Sequence, residues 1–208
     1  NGNLSFNRGS MTIAAAASPT VQPGNITFNS FGRYIVQGVD GQTINRSGTL
    51  VYAAGAVGEF QVDNTTATQV TDFTVNQNGQ VTLGAGGVGA TVRVAISDDR
   101  AKLNLSGGVI LGGNSSISVS GAAPRVLNIN SIISDGGSGY SLAINDDAGG
   151  WAQTNGIVQL SALNTFSGNL ALGEGVLEFN TVTNAGGAAS SLGQGTAISI
   201  GGGNLRFI

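Results

Sequence analysis

Short apolar alternations, separated by glycine-rich turns, run through most of this chain and limit its fold more than any other feature. They are clearest in Gly156–Phe179, where three pairs of apolar residues are each separated by a single residue: Val158/Leu160, Leu170/Leu172 and Leu177/Phe179. A period of two is typical of strands, because successive side chains point to opposite faces. The turns between the pairs are rich in Asn, Ser and Gly. The segment therefore predicts one coil of a β-solenoid, in which three short strands each direct an apolar row inwards.

The same unit recurs from Ile26 onward at intervals of mostly about 7 to 16 residues. The pairs are Ile26/Phe28, Tyr34/Val36, Leu50/Tyr52, Phe60/Val62, Phe73/Val75, Val81/Leu83, Val92/Val94/Ile96, Leu103/Leu105, Ile117/Val119, Leu127/Ile129 and Leu142/Ile144. Glycine at the corners is expected to supply positive φ angles that other residues resist. The prediction is an all-β chain that forms a right-handed parallel β-helix over residues 25–208, with similarly placed phenylalanines (Phe28, Phe166, Phe179 and Phe207) stacked in its core.

Two local signals favour other structures. Asn78-Gly79, between two alternating stretches, is typical of a type I′ hairpin, and antiparallel pairing of that kind suggests a β-sandwich as the alternative fold. Ala185–Leu192 is the best candidate for a helical turn, although its two glycines weaken it.

The stretch Gly156–Phe179 also resembles a known repeat. The residues that carry the likeness are Gly156, Val158, Leu160, Asn164, Thr165, Phe166, Gly168, Leu172, Gly175 and Leu177. They match, without a gap, the passenger-associated transport repeat, also called the autotransporter-associated β-strand repeat. Ala162, Phe166 and Leu170 depart from the usual Gly, Tyr and Thr but keep the alternation. Ser191–Thr196, Ile198/Ile200 and Leu205/Phe207 are similar to the same family.

The resemblance implies a right-handed parallel β-helix in a secreted or surface-displayed bacterial protein, where the repeat is structural and has no active site. We therefore expect an extracellular structural or adhesive solenoid and no enzyme. One alternative is a filament subunit that joins head to tail through open β edges or an N-terminal strand. A second alternative is a β-helix that binds or cleaves carbohydrate. Expected partners are further copies of the chain, or a cell-surface or glycan receptor.

Composition excludes several functions. Only 9% of the 208 residues are charged, and the net charge of −3 provides no basic surface for nucleic acid. There is no Cys and no His, so thiol chemistry and the commonest general base and metal ligand are excluded. No apolar run is long enough to span a bilayer. Six Asn-x-Ser/Thr sequences, at Asn3, Asn25, Asn45, Asn64, Asn104 and Asn114, are close to the number expected by chance.

The sequence divides at Ser18–Gly24, a stretch with Pro19 and Pro23 that reads as a linker. Residues 1–17 before it are predicted to be either a first coil or an arm that pairs with the edge of a neighbouring subunit. Both ends of the chain fall in strand patterns, so we expect a mature or excised segment.

Three clusters are candidates for chemistry, and each has a structural interpretation. Asp98-Asp99-Arg100 with Lys102 could serve a sugar-cleaving site, but side-by-side residues point to opposite faces, which favours a solvated turn. Asp146-Asp147, near Trp151, could form a sugar platform or a Ca²⁺ loop but lacks the spacing of known calcium motifs. Gly84–Gly89 precedes a strand and not the helix that a phosphate loop needs, and Gly201–Gly203 is interpreted likewise. We accordingly predict no catalytic, cofactor-binding or metal-binding residues.

Overall fold

The computed structural model describes residues 2–15, 22–97, 99–120, 125–145 and 156–208. Within these ranges the chain forms 21 strands, and no α-helix occurs. All named strands pair in parallel and collect into three sheets, which we call A, B and C. The prediction of an all-β parallel β-helix is confirmed. The sandwich alternative is wrong, because a sandwich needs two antiparallel sheets and the strands here pair in parallel in three. The strands on either side of Asn78-Gly79 belong to different sheets, so they form no hairpin.

A complete turn of the solenoid contributes one strand to each sheet, in the order A, B, C, and five turns of the described chain carry all three strands. Sheet A contains β1 (Leu4–Phe6), β3 (Ile26–Phe28), β6 (Leu50–Tyr52), β9 (Val81–Gly87), β12 (Val109–Gly113) and β15 (Ile133–Ser134). Sheet B contains β2 (Ser10–Ile13), β4 (Phe31–Gly38), β7 (Val57–Asn64), β10 (Thr91–Ile96), β13 (Ser115–Ser120), β16 (Leu142–Ile144), β18 (Leu170–Leu172) and β20 (Ile198–Ile200). Sheet C contains β5 (Thr43–Arg46), β8 (Phe73–Gln77), β11 (Ala101–Leu105), β14 (Arg125–Ile129), β17 (Gly156–Leu160), β19 (Val176–Phe179) and β21 (Asn204–Phe207).

The core consists of inward rows that repeat from turn to turn. In sheet A, Phe6, Phe28 and Tyr52 stack with ring centroids 5.2 and 4.6 Å apart, and Leu83 and Leu111 continue the row. These spacings follow from the distance of about 4.8 Å between paired strands. Each inward side chain is therefore buried by the same position in the turns above and below it.

The four phenylalanines that the sequence suggested as one stack lie in separate places. Phe28 is in sheet A. Phe166 is fully buried in the segment that precedes β18. Phe179 and Phe207 meet edge to face, 5.6 Å apart, in sheet C. The prediction of a single stack is wrong, because alternation gives the inward face of a strand but not the sheet to which it belongs.

Residues 2–15 form part of the same solenoid. β1 pairs with β3, and β2 pairs with β4, both in parallel. The described residues 22–24 of the expected linker lead directly into β3, and residues 16–21 lie outside the described part. The division into an N-terminal segment and a solenoid domain stays a prediction.

Glycine has two different roles at the corners. Several corner glycines have positive φ, as the sequence suggested, including Gly55 at 72° and Gly136 at 62°. Gly48, Gly79 and Gly107 do not, and they stack between sheets C and A. A Cβ on Gly79 would lie 2.2 Å from the carbonyl oxygen of Gly48. A Cβ on Gly107 would likewise lie 2.4 Å from the carbonyl oxygen of Gly79. We call this column the glycine corner.

The corner between sheets B and C is more open. After β7 the chain makes a loop over residues 65–72, which lies over Asp40 of the preceding turn. The Asp40 carboxylate accepts hydrogen bonds from the backbone N–H groups of Val70 (2.6 Å) and Thr71 (3.1 Å) and from Asn64 Nδ2 (2.8 Å). Ala67 and Thr68 at the tip of the loop are exposed.

A line of polar side chains crosses the outer face of sheet C, and we call it the amide ladder. It contains Asn45, Asn76, Asn104, Asn128, Gln159, Glu178 and Arg206, one from each strand. In its first half each Nδ2 donates to the Oδ1 of the preceding asparagine, at 2.7 to 2.8 Å. In its second half Gln159 Nε2 donates to Glu178 at 3.0 Å, and Glu178 pairs with Arg206.

The predicted helical turn at Ala185–Leu192 is wrong. This segment forms turns and one isolated bridge, in which Ser190 pairs with Asn164. Its glycines explain the outcome, since Gly186 has a φ of 68°, which a right-handed helix does not contain. No helix in the described residues is long and apolar enough to cross a membrane.

Candidate functional sites

The charge cluster around Asp99 lies in the turn between β10 and β11. Asp98 is outside the described residues, and Asp99 and Arg100 are exposed. Arg100 Nη1 lies 3.7 Å from Asp72 Oδ1, and Lys102 forms an ion pair with the other oxygen of Asp72. All three partners are at least a third exposed, and exposed pairs of this kind contribute at most about 1 kcal/mol to stability. The described residues of this cluster join two neighbouring turns at the surface.

The second candidate, Asp146-Asp147 with Trp151, lies outside the described residues. The residue just before it, Asn145, is fully buried and has a φ of 48°, which asparagine adopts more readily than most residues. Its Oδ1 accepts a hydrogen bond from the Val119 N–H at 2.9 Å, and its Nδ2 donates to the Gly156 carbonyl at 3.2 Å. Asn145 thus joins the end of β16 to β13 and to the start of β17.

The glycine-rich stretch Gly84–Gly89 forms a small hairpin at the corner between sheets A and B. The N–H of Ala85 donates to the Val88 carbonyl at 2.9 Å, and the N–H of Val88 donates back to Ala85 at 3.0 Å. Gly86 and Gly87 between them both have positive φ, which is the type I′ geometry. The type I′ hairpin that the sequence suggests at Asn78-Gly79 therefore occurs at Gly86-Gly87. Two adjacent glycines at the centre of the turn are the sequence feature that could have predicted it. Gly201 and Gly202 form an exposed bend between β20 and β21.

A buried polar cluster in the first turns was not identified from the sequence. Arg46, only 1% exposed, lies inside the solenoid and donates to Gln77 Oε1 and, at 3.2 Å, to the Gly24 carbonyl. Its guanidinium lies 5.1 Å from the centre of the Tyr34 ring, and the Tyr34 hydroxyl donates to Gln22 at 2.7 Å. Burial lowers the pKa of Arg46 and raises the pKa of Tyr34 to about 12. The cluster supplies packing and hydrogen bonds between turns.

Glu59 projects from the outer face of sheet B, yet its side chain is only 1% exposed. Arg33 binds both of its oxygens, with Nε 2.8 Å from Oε1 and Nη2 3.1 Å from Oε2. Burial raises the pKa of Glu59, and the charge of Arg33 offsets part of that effect. Because both oxygens are held by one guanidinium, the arrangement suits a fixed ion pair between adjacent strands.

Asp135 organises the glycine-rich turn that follows β15. Its carboxylate accepts hydrogen bonds from the N–H groups of Gly137, Tyr140 and Ser167, each at 3.0 Å, and from the Ser167 hydroxyl at 2.8 Å. Burial acts to raise the pKa of Asp135, but these hydrogen bonds outweigh it and lower the pKa below the usual value. All of the donors belong to the chain itself, so Asp135 has a structural role.

Asn164, part of the repeat-like motif, joins three successive turns. Its side chain is completely buried. Oδ1 accepts a hydrogen bond from the Ile133 N–H at 2.8 Å, and Nδ2 donates to the Ser191 carbonyl at 2.6 Å. The side chain therefore replaces a rung of sheet A where no regular strand follows β15.

An open groove of about 460 Å³ lies where sheet A passes into sheet B, and we call it the A/B groove. Its floor is an outward row of sheet B that consists of Thr91, Ser116, Ala143 and Ala171. Its wall is formed by corner residues, which are Gly55, Gly89, Asn114, Ser141 and Asn169. The sequence indicates this groove only through small polar residues that recur in neighbouring turns, such as Asn114, Ser141 and Asn169.

Within the described residues, no group of three or more Asp or Glu side chains is placed to hold a metal ion. The predictions of no catalytic, cofactor or metal residue remain predictions. No protein-family model, curated protein or solved structure matches this chain.

Proposed function

We propose that this chain is a rigid structural segment of a bacterial surface or secreted protein, built from repeats that resemble those of autotransporter passengers. In this role it holds other parts of the protein, or a ligand, at a distance from the cell. It does so without catalytic chemistry.

The observation that carries this proposal is the amide ladder. Its members come from seven consecutive strands of sheet C, and the same turns are also joined by the inward rows and by backbone pairing. Neighbouring turns are therefore joined in the core, by backbone pairing within the sheets and, at most steps of the ladder, by side-chain bonds on the outer face of sheet C. Since each turn contacts only its neighbours, stiffness along the axis depends on such repeated links.

The repeat-like motif supports the likeness to passenger repeats. Asn164 and Phe166, its most distinctive residues, are both completely buried, and each has a specific packing or hydrogen-bonding role. The low content of charge and the absence of cysteine also agree with bacterial passengers, as the resemblance implies.

Localisation gives the direct test. Antibodies raised against the purified chain should label intact cells that express the parent gene, or should detect the protein in the culture medium. An antibody to a cytoplasmic protein serves as the control for intact membranes. Labelling that appears only after the cells are permeabilised would remove the extracellular proposal and leave the solenoid fold unaffected.

A second proposal, head-to-tail assembly, is supported by the edge strands β20 and β21. They expose Ile198 (44%), Ile200 (52%) and Phe207 (65%), and open strand edges pair readily with other chains. Light scattering over a wide concentration range should show growing assemblies, and Ile200→Lys should prevent them. A wild-type protein that is monomeric throughout would refute this proposal.

A further inference from the structure

The A/B groove has the features of a ligand-binding site. A purely structural role for the chain does not explain these features. Its lining residues come from five successive turns, from Gly55 to Ala171. Four spacings of about 4.8 Å between paired strands make it about 19 Å long. The groove is thus elongated along the solenoid axis and offers a similar set of small side chains at each turn.

The lining is neutral and rich in hydrogen-bonding groups. None of its residues is ionisable, and Asn, Ser and Thr side chains alternate with Ala and Gly. Asn114 Oδ1 accepts from the Ser141 N–H at 2.9 Å, and Ser141 Oγ accepts from the Asn169 N–H at 3.0 Å. Among the described residues nothing bonds to Asn114 Nδ2 or to the side-chain amide of Asn169. Both asparagines are exposed, so these groups face solvent.

An aromatic side chain lies in line with the groove floor. The outward row that contains Thr91 and Ser116 continues towards the N-terminus through Val57 to Phe31. Phe31 is 43% exposed, and among the large apolar side chains in the described strands only those of the C-terminal strands β20 and β21 are as exposed. An exposed aromatic ring offers the apolar face of a ligand a surface on which to stack.

The backbone of the wall is already paired, which disfavours a peptide ligand. The N–H of Gly55 donates to Gly89, that of Ser115 to Ser141 and that of Leu142 to Asn169, at 2.8 to 3.0 Å. A peptide that binds by strand addition needs an open sheet edge, and this corner provides none. An anionic or cationic polymer would need charged residues, and none line the groove.

We propose that the A/B groove binds a neutral, linear oligosaccharide that lies along the solenoid axis. Its hydroxyl groups exchange hydrogen bonds with Asn114, Asn169 and the Ser/Thr side chains of the floor, and a terminal sugar ring stacks on Phe31. Binding involves no bond cleavage. The site gives the proposed scaffold an adhesive role, but it does not depend on where the protein is located.

The test uses the whole chain and titration calorimetry. The probes are linear neutral oligosaccharides of glucose and of mannose, of increasing length, with oligogalacturonate as the anionic comparison. We expect a dissociation constant of about 1 mM or tighter for at least one neutral series. Affinity should rise with length until the groove is filled and then level off. No binding of either neutral series, or equal binding of oligogalacturonate, would overturn the proposal.

Variants locate the site. Ala143→Leu fills the groove floor, and Ala95→Leu places the same side chain on a half-buried outward position of β10 that does not line the groove. We expect Ala143→Leu to weaken binding at least tenfold and Ala95→Leu to leave it unchanged. Asn114→Ala with Asn169→Ala, at exposed positions, should weaken binding even if Ala143→Leu fails to fold. If the double alanine variant bound as tightly as the wild type, the ligand would not bind in the A/B groove and the proposal would be wrong.

A negative result here is distinguishable from failure of the scaffold proposal. Loss of sugar binding would leave the labelling of intact cells unchanged. Cytoplasmic localisation would leave the calorimetry of the purified chain unchanged.

Discussion

At the scale of single residues, Asn164 shows how one side chain takes the place of a strand. It supplies an acceptor to Ile133 and a donor to Ser191 inside the core, in a turn where backbone pairing of sheet A is interrupted. Both of its partners are backbone groups in adjacent turns. A residue with the same shape and no amide would leave those groups unpaired.

We expect Asn164→Leu to lower the free energy of unfolding by about 2 to 4 kcal/mol, because each buried group left unpaired costs about 1 to 3 kcal/mol. Denaturant titration followed by circular dichroism measures the change. Leu163→Ala, next in sequence but 54% exposed, is the matched control and should change stability little. Equal effects of the two substitutions would contradict this role for Asn164.

Asp135 gives a prediction for pH. Its pKa is lower in the folded chain than the ordinary value of 3.8, so folding favours the ionised carboxylate. The stability that Asp135 contributes is therefore fully present above about pH 4 and is lost as the pH falls through its folded-state pKa.

Asp135→Asn should lower stability at neutral pH by about 2 kcal/mol, since it replaces a charged acceptor of several hydrogen bonds. The difference from the wild type should shrink as the pH falls below about 4. Unfolding measured from pH 7 down to acid tests both statements. Asp63→Asn, which affects a single hydrogen bond from Gln61, should have a smaller effect. A pH-independent difference for Asp135→Asn would count against the explanation.

At the scale of elements, the glycine corner determines how closely successive turns approach. Gly48, Gly79 and Gly107 are stacked so tightly that a methyl group on any of them would overlap the backbone of the turn below. Strain from φ is not the reason, because none of the three has positive φ. Alanine here is an overpacking change against backbone, which has little freedom to move.

Gly79→Ala should therefore destabilise the protein by about 3 kcal/mol or more. Gly2→Ala, at a glycine where a Cβ would meet nothing within 4 Å, is the control and should be close to neutral. Thermal unfolding of both variants provides the comparison. A Gly79→Ala protein as stable as the wild type would show that the backbone of the glycine corner can move enough to accept a methyl group.

Much of this element structure could be predicted from the sequence, for a physical reason. Alternation such as Leu103/Leu105 reports which face of a strand is buried, and every such pair from Ile26 to Ile144 lies in a strand with inward apolar residues. Alternation does not report which strand is the neighbour. Asn78-Gly79 therefore suggests a hairpin as an alternative, although its local chemistry fits a solenoid corner equally well.

The polar features were harder to predict. Arg46 occupies an inward position that the alternation rule reserves for apolar residues, and its partners Gln77 and Gly24 are distant in sequence. The amide ladder is hidden for the same reason, since its members are 19 to 31 residues apart and the spacing varies with corner length. The A/B groove combines five turns and has no local motif.

At the scale of the whole molecule, stability should be highest in the middle of the solenoid. β10, β11 and β12 are each paired on both sides, whereas β20 and β21 have a neighbour on one side only. In a stack whose turns contact only their neighbours, the terminal turns open at a lower cost than the central ones.

Amide hydrogen exchange should therefore be slowest for residues such as Val94, Leu103 and Leu111, and faster by at least about tenfold for Ile200 and Phe207. Mass spectrometry of peptic peptides resolves these regions. Uniform exchange along the chain would indicate that the solenoid opens only as one unit. A fragment-matched unfolded sample supplies the intrinsic rates.

The contrast between the glycine corner and the loop at residues 65–72 has a practical consequence for engineering. A solenoid tolerates added length only where the path between two strands is free to bulge outward. The tip of that loop, at Ala67-Thr68, is exposed and satisfies this condition. An extra residue at Gly79 has no such space, because the backbone there is in close contact with Gly48 of the preceding turn. Foreign epitopes inserted between Ala67 and Thr68 would be displayed on a stiff carrier, and the spacing between its turns would stay unchanged.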